Sequence, residues 1–308
     1  MNILVISSNL IGDSILSTGI IKDFIDRYPN SKLTVVVGLS SKQVYVNFPN
    51  LNQLITIKKQ KYELHWFEIW RKCFFIKWDI IIDFRSSLIG YFLMRKKSYI
   101  YKKYSNNVSQ INQLTNFFRL NKIAYPIIFN TKEEEKIAKN KLLPDIKYIV
   151  IAPGGNWTPK IWSIENFNKL LRKLLNKNND LYVVLVGSKT EKEKYKKNII
   201  NKIDEKKIID LMGKSITQTH AYMKRCNLFV GNDSGLMHLS AASKIPTIGL
   251  FGPTNNKLYS PYGNNCYTVQ TKETYENFQT YKIEKYKSYM DSIKVEDVIE
   301  VIEKNHLI

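Results

Sequence analysis

Four clusters in the 308-residue sequence combine charged groups with glycines in ways that could hold an anion and move a proton. The first, Ile11-Gly12-Asp13-Ser14, follows an apolar run and opens a helical pattern. In open α/β sheets ligands bind beyond the carboxyl ends of strands, so the Asp13 carboxylate is placed to act as a general base. The alternative is that Asp13 only caps the helix N-terminus. The second is the stretch 151–162, where Gly154 and Gly155 permit close backbone approach and Lys160 supplies a point charge for a phosphate. Lys160 could equally be an ordinary loop lysine. The stretch lacks the P-loop pattern, so it does not point to nucleotide hydrolysis.

The third cluster is Asn232-Asp233-Ser234-Gly235-Leu236-Met237-His238. A strand running into Asp233, Ser234 and Gly235 at a helix start leaves backbone amides aimed at an anion such as a diphosphate. His238, one turn on, could face the same anion or simply pack. The fourth, Gly249-Leu250-Phe251-Gly252-Pro253-Thr254, is a strand ending in a turn, one strand–helix–strand step later. No Asp-x-Asp pair occurs, and Cys73, Cys226 and Cys266 have no paired spacing, so neither a metal site nor disulfides are expected.

These clusters need a frame of strand ends. Short β-branched runs predict strands at 2–7, 32–38, 53–57, 78–84 and 98–101, then at 148–152, 181–187, 207–211, 228–230, 247–251 and 266–269. Lysine-rich helical segments separate them, the pattern of parallel sheets flanked by helices. Each half opens with an apolar strand entering a glycine-containing turn, which indicates two doubly wound units. The expected division is 1–145 for an N-terminal domain carrying the base, 146–285 for an anion-binding domain and 286–308 for a terminal helical segment, with a helix at 295–304. Trp66, Trp70, Phe74 and Trp78 repeat every four residues. That stripe suits a helix packed on its sheet better than one lying on a membrane.

Lys and Arg number 47 against 27 Asp and Glu, a formal net charge of +20, which favours polyanionic partners such as nucleic acid, anionic membrane or phosphorylated glycolipid. No stretch reaches the roughly 20 apolar residues of a membrane span, and the N-terminus lacks a signal peptide's features. The expectation is a cytoplasmic protein with at most peripheral contact to a membrane.

Taken in order, Gly12-Asp13, Pro153-Gly154-Gly155 with Lys160 and Trp162, Asn232-Asp233-Ser234-Gly235 with His238, and Phe251-Gly252-Pro253-Thr254 resemble the bacterial heptosyltransferases of glycosyltransferase family 9. The resemblance implies two Rossmann-like domains facing a cleft, the GT-B arrangement, with an ADP-heptose donor and a lipopolysaccharide-core or other envelope saccharide acceptor. It implies Asp13 as the base, and Lys160, Asp233, Ser234, Gly235 and His238 on the donor phosphates. Glu191 matches an acid that contacts the ribose, and Met212 and Gly213 match the adenine pocket. It further implies inverting, metal-independent transfer with no cofactor, an anionic glycolipid or oligosaccharide acceptor, and no nucleic acid.

Three departures lie in the N-terminal half. Gly19 stands where many members have proline, Ser8 where a basic residue is common, and 98–104 lacks a usual glycine. The rivals are a transferase using another nucleotide sugar and a nucleic-acid-binding protein. The basic-aromatic run 95–104 motivates the latter, although no helix-turn-helix, zinc-finger or RNP signature is present.

Overall fold

The computed structural model describes residues 1–58, 64–200 and 203–308, and these form two compact units, Met1–Phe129 and Asn130–Ile308. In the first unit, β1 (Asn2–Ile6), β2 (Lys32–Gly38), β3 (Leu51–Ile57), β4 (Trp78–Asp83) and β5 (Arg95–Ile100) make a parallel sheet in the order β3-β2-β1-β4-β5. Runs such as the Ile-Leu-Val-Ile of β1 are apolar at every position because helices and loops cover both faces of a parallel sheet, and these four residues are fully buried. Helix α1 (Ile11–Arg27) meets α3 (Gln110–Phe117) and the residue after it through Phe24 and Phe118, whose rings lie 5.8 Å apart.

Helix α2 (His65–Cys73) covers Leu4, Ile6, Val36, Ile55 and Ile81. Trp66, Trp70 and Phe74 pack on that cluster and Trp78 is buried within it, so the aromatic stripe is core, as its spacing suggests. The first sheet departs from the expectation at β5, which begins at Arg95 rather than residue 98. The three cations Arg95, Lys96 and Lys97 hide the strand from an apolar pattern, and they suit an edge strand because charge there opposes further pairing.

In the second unit the chain runs α4 (Lys132–Lys141), β6 (Lys147–Ala152), α5 (Ile164–Lys177), β7 (Leu181–Leu185), α6 (Lys189–Ile200), β8 (Ile208–Asp210), α7 (Ile216–Met223), β9 (Leu228–Asn232), α8 (Gly235–Ala242), β10 (Thr247–Phe251), α9 (Asn256–Tyr259), β11 (Cys266–Gln270), α10 (Tyr275–Phe278) and α11 (Val295–Lys304). All pairings are parallel, in the order β11-β10-β9-β6-β7-β8. The chain winds outward from β6 to β8 and then returns to β9, so the order reverses between β6 and β9. In an open sheet that reversal leaves a crevice beyond the strand ends.

Two expected divisions are corrected. Helix α4 belongs with the second unit, not the first, because polar contacts tie it to α7 and its flank: Thr217 Oγ1 donates to Glu134 at 2.5 Å, Lys224 pairs with Glu135 at 2.6 Å and Arg225 donates to the Leu142 carbonyl at 3.0 Å. The terminal segment is not separate either. Met290, Ile293, Val298 and Ile302 lie in the same core as Ile149, Leu171 and Val183, and Lys173 pairs with Glu296 at 2.5 Å. Among the described residues no helix is long and apolar enough to cross a membrane.

Candidate functional site

The second unit gathers most of the expected residues at the β6/β9 reversal. Ala152 and Gly231 are neighbours across that seam, so the loops leaving β6 and β9 share one end of the sheet. The β6 loop carries Lys160 on a short 3-10 turn, Thr158–Lys160. Its Nζ lies 3.2 Å from Asp233 Oδ2, and the two side chains are only 12% and 8% exposed. Just beyond Asp233, α8 begins, with Ser234 as N-cap and no side-chain cap bond.

The amide cradle needs one correction. The Asp233 N–H donates to the Leu250 carbonyl at 3.0 Å, continuing the β9–β10 ladder, so it is not available to an anion. Its carboxylate is the counter-ion of Lys160, not a phosphate ligand by charge. The amides of Gly235 and Leu236 remain at the open first turn, where no intrahelical acceptor exists for them. Ser234 Oγ, His238 Nδ1 and Thr254 Oγ1 are buried and without a partner among the described residues. Burial pushes the His238 imidazole down to about 4 against the opposing pull of Asp233, so it is neutral near pH 7. It therefore offers a hydrogen bond rather than a charge.

Glu191 reaches the β6 loop, and Met212 and Gly213 lie against the segment that follows β7. Glu191 Oε1 accepts from the Gly155 N–H at 2.9 Å, and Oε2 accepts from the Ser188 N–H at 2.8 Å and its hydroxyl at 2.7 Å. The carboxylate thus ties the β6 loop to the β7 loop. A Cβ on residue 154 would stand 2.0 Å from Oε1, so glycine there leaves the Glu191 carboxylate in place. The Gly213 N–H donates to the Gly187 carbonyl at 2.9 Å, and the Met212 side chain lies against Gly187.

Sequence reasoning gave Asn232 no role, yet its fully buried side chain holds the β6 loop in place. Its Nδ2 donates to the carbonyls of Pro153 and Gly154 at 2.9 and 3.1 Å, and its Oδ1 accepts from the Trp162 N–H at 2.9 Å. Its place one residue before Asp233, at the end of an apolar strand, was the available signal.

In the first unit Asp13 lies in the first turn of α1, where Leu10 is the N-cap. Asp13 is therefore not the N-cap, and Ser8 Oγ donates to its Oδ2 at 3.3 Å. Beneath this turn the buried Tyr45 hydroxyl meets Ser7 Oγ at 2.5 Å and Ser17 Oγ at 3.3 Å, which anchors β1 and α1 to the segment after β2. Gly19 has a packing reason, since a Cβ there would stand 2.3 Å from the Ala124 carbonyl oxygen.

Across the seam Ile6 neighbours Asp83. Asp83 is fully buried and accepts from the Arg85 N–H at 2.7 Å, the Ser87 N–H at 2.8 Å and the Ser87 hydroxyl at 2.6 Å. It shapes the turn after β4, and burial pushes its carboxyl above the usual range. Among the described residues no three acidic, His or Cys side chains cluster as a metal site would need.

The model of glycosyltransferase family 9 (heptosyltransferase) matches residues 75–289 of the chain. Lipooligosaccharide heptosyltransferase 2 of Campylobacter jejuni is 24% identical over 310 residues, covering 96% of each chain. Lipopolysaccharide heptosyltransferase 3 of Escherichia coli is 28% identical over 158 residues, 51% of this chain and 46% of that protein. Among solved structures, the family 9 glycosyl transferase of Veillonella parvula superposes with a TM-score of 0.78 at 22% identity, covering 98% of this chain and 96% of that one. Escherichia coli heptosyltransferase WaaC with ADP superposes with a TM-score of 0.73 at 17% identity, covering 99% and 100%. The two-sheet fold is therefore that of these transferases.

Proposed function

The chain belongs to glycosyltransferase family 9, the heptosyltransferases, and on that premise we propose that it moves a heptose from ADP-heptose to a saccharide acceptor of the lipopolysaccharide core. The observation that carries the reading is the convergence of Lys160, the open first turn of α8 and the unpartnered Ser234 and His238 at the β6/β9 reversal. A diphosphate presents the oxygens that such donors lack. The WaaC structure bearing ADP, of the same fold, supports adenosine as the nucleoside. Glu191, Met212 and Gly213, on the loops beside Gly154 and Gly187, are the groups assigned to it.

In the proposed reaction an acceptor hydroxyl attacks the anomeric carbon from the face opposite the diphosphate. The new C–O bond forms as the bond to the ADP oxygen breaks, and the configuration inverts. The hydroxyl proton passes to the Asp13 carboxylate. Negative charge grows on the leaving ADP, and Lys160 and the Gly235 and Leu236 amides stabilise it where it develops. No metal or cofactor takes part in this scheme. Turnover is expected to survive EDTA unchanged; loss on chelation, restored by magnesium or manganese, would show that an ion bridges the diphosphate. The acceptor is assigned as an anionic glycolipid or its oligosaccharide, met by a cytoplasmic enzyme in peripheral contact with the inner membrane.

A thermal-shift panel of ADP-, UDP-, GDP- and CMP-sugars tests the donor. Ligand that binds only the folded state raises the melting temperature by linkage. ADP-heptose should shift it most, and a larger shift with a UDP- or GDP-sugar would reassign the donor.

A further inference from the structure

The turn that carries Lys160 is held together internally by short-range bonds: the Lys160 N–H donates to the Trp157 carbonyl at 3.3 Å and the Ile161 N–H to the Thr158 carbonyl at 3.0 Å. A 3-10 turn has poor hydrogen-bond geometry, so it keeps a fixed place only with support from outside. Asn232 gives that support further along the loop on either side, at Pro153, Gly154 and Trp162. The two residues that flank Lys160 are held by a different part of the chain.

That part is the connection from α10 to α11. Ser288 Oγ donates to the Ile161 carbonyl at 2.7 Å, and the Tyr289 N–H donates to the Pro159 carbonyl at 3.0 Å. Two consecutive residues thus grip the backbone immediately before and immediately after Lys160. The clip is itself braced. Ser288 Oγ accepts from the Met290 N–H at 3.2 Å, the Tyr289 ring meets Phe278 edge-on at 5.8 Å, and the Tyr289 hydroxyl accepts from the Glu284 N–H at 3.1 Å. A little further on, the Ile293 carbonyl accepts from Nε1 of the buried Trp162 indole at 3.0 Å.

Met290 joins the clip to a second loop. Its side chain is fully buried, and a Cβ at Gly252 would stand 2.4 Å from its Sδ, so it lies on the turn that follows β10. That turn leads to Thr254, whose buried Oγ1 lacks a partner among the described residues. In the sheet β9 lies between β6 and β10, so the loops leaving β6 and β10 stand on either side of the β9–α8 turn. Residues 288–290 touch both. Lysine is a point charge on a flexible four-carbon stem, and its charge meets a ligand at a set place only if the backbone beneath it is fixed.

We propose that Ser288 is a positioning residue for Lys160, holding the turn through the Ile161 carbonyl so that the ammonium meets the donor diphosphate. The inference deepens the functional reading and rests on it for the diphosphate, whereas the hold on the turn can be measured without any ligand.

The test compares wild type, Ser288→Ala and Ser288→Thr as full chains, by calorimetry with ADP and with adenosine. Ser288→Ala should weaken ADP about fivefold to tenfold, the scale of one hydrogen bond, and leave adenosine unchanged. Ser288→Thr keeps the hydroxyl and should restore ADP affinity. On a Lys160→Ala background, Ser288→Ala should weaken ADP no further, because the turn then has no ammonium to present. In hydrogen exchange without ligand, the amides of Lys160 and Ile161 should exchange about fivefold faster in Ser288→Ala. Ser288→Cys, similar in size but a weak donor, gives the same comparisons where the alanine variant does not fold.

ADP affinity unchanged in Ser288→Ala, or ADP and adenosine weakened alike, would overturn the proposal, the second outcome making Ser288 structural only. So would losses that add in full to those of Lys160→Ala, or unchanged exchange at Lys160 and Ile161. A wild type that binds no ADP would count against the donor reading, and the hold of Ser288 on the turn would then stand or fall on the exchange rates.

Discussion

Asp13 and Lys160 make different demands on the residues around them. Asp13 is not the N-cap of α1, and Ser8 supports its carboxylate from one side. Asp13→Asn keeps the shape and removes the basic charge. Turnover with a fixed donor and acceptor should fall about 100-fold or more, while donor affinity by calorimetry and the melting temperature stay near wild type. A variant retaining most of its turnover would place the base elsewhere. Lys160 is half of a largely buried ion pair. Lys160→Ala should cost about 2–3 kcal/mol in kcat/KM, the scale of one charge-assisted contact. It also leaves Asp233 buried without its counter-ion, so the melting temperature should fall as well. Asp233→Asn added to Lys160→Ala should recover the melting temperature without recovering kcat/KM; recovery of both would make Lys160 structural only.

The loops owe their positions to strands and to a few buried polar side chains. Asn232→Ala would leave the Trp162 N–H and the Pro153 and Gly154 carbonyls without their partner. Unfolding free energy in a denaturant titration should fall by on the order of 2–3 kcal/mol, and the donor-induced thermal shift should shrink because the Lys160 loop loses its tether. A purely structural Asn232 would change the first measurement and not the second. Among the described residues the eleven strands were legible, the central ones because a parallel strand buried on both faces must be apolar throughout. Strand β5 was legible only in its last residues, since its first three are cationic. The role of Asp83 was not legible, and that of Asn232 was signalled only by its place before Asp233, because each depends on which strand lies beside it, Ala152 against Gly231 and Ile6 against Asp83. Hydropathy also misplaced α4, whose attachment to α7 is made of hydrogen bonds and an ion pair that leave no apolar period.

Across the molecule, two buried histidines tie stability to pH. His220 Nδ1 donates to Asn130 Oδ1 at 2.6 Å at the first residue of the second unit, and burial, reinforced by Lys224 against the weaker pull of Glu135 and Glu134, lowers its imidazole to about 4. His238 is lowered likewise, from 6.5 to about 4. Between these values the unfolded chain binds protons that the folded chain does not, so stability is complete above about pH 6.5 and declines as pH falls toward 4. His220→Gln should make that decline shallower by about 1.4 kcal/mol per pH unit in chemical denaturation; an unchanged slope would mean that His220 titrates normally.

The strand order has a further consequence for how the chain is made. Strand β6 finds β7 soon after it, but its other neighbour, β9, begins only at Leu228, after three helices have intervened. At about 5–20 residues per second, a ribosome leaves the middle strand of the second sheet with one open edge for several seconds. The first sheet meets the same problem earlier, between β1 and β4. Each is a hydrophobic edge that can recruit a neighbouring nascent chain until its own last-made partner arrives. Slower elongation or less chaperone access is therefore expected to lower the yield of this fold without changing its final stability.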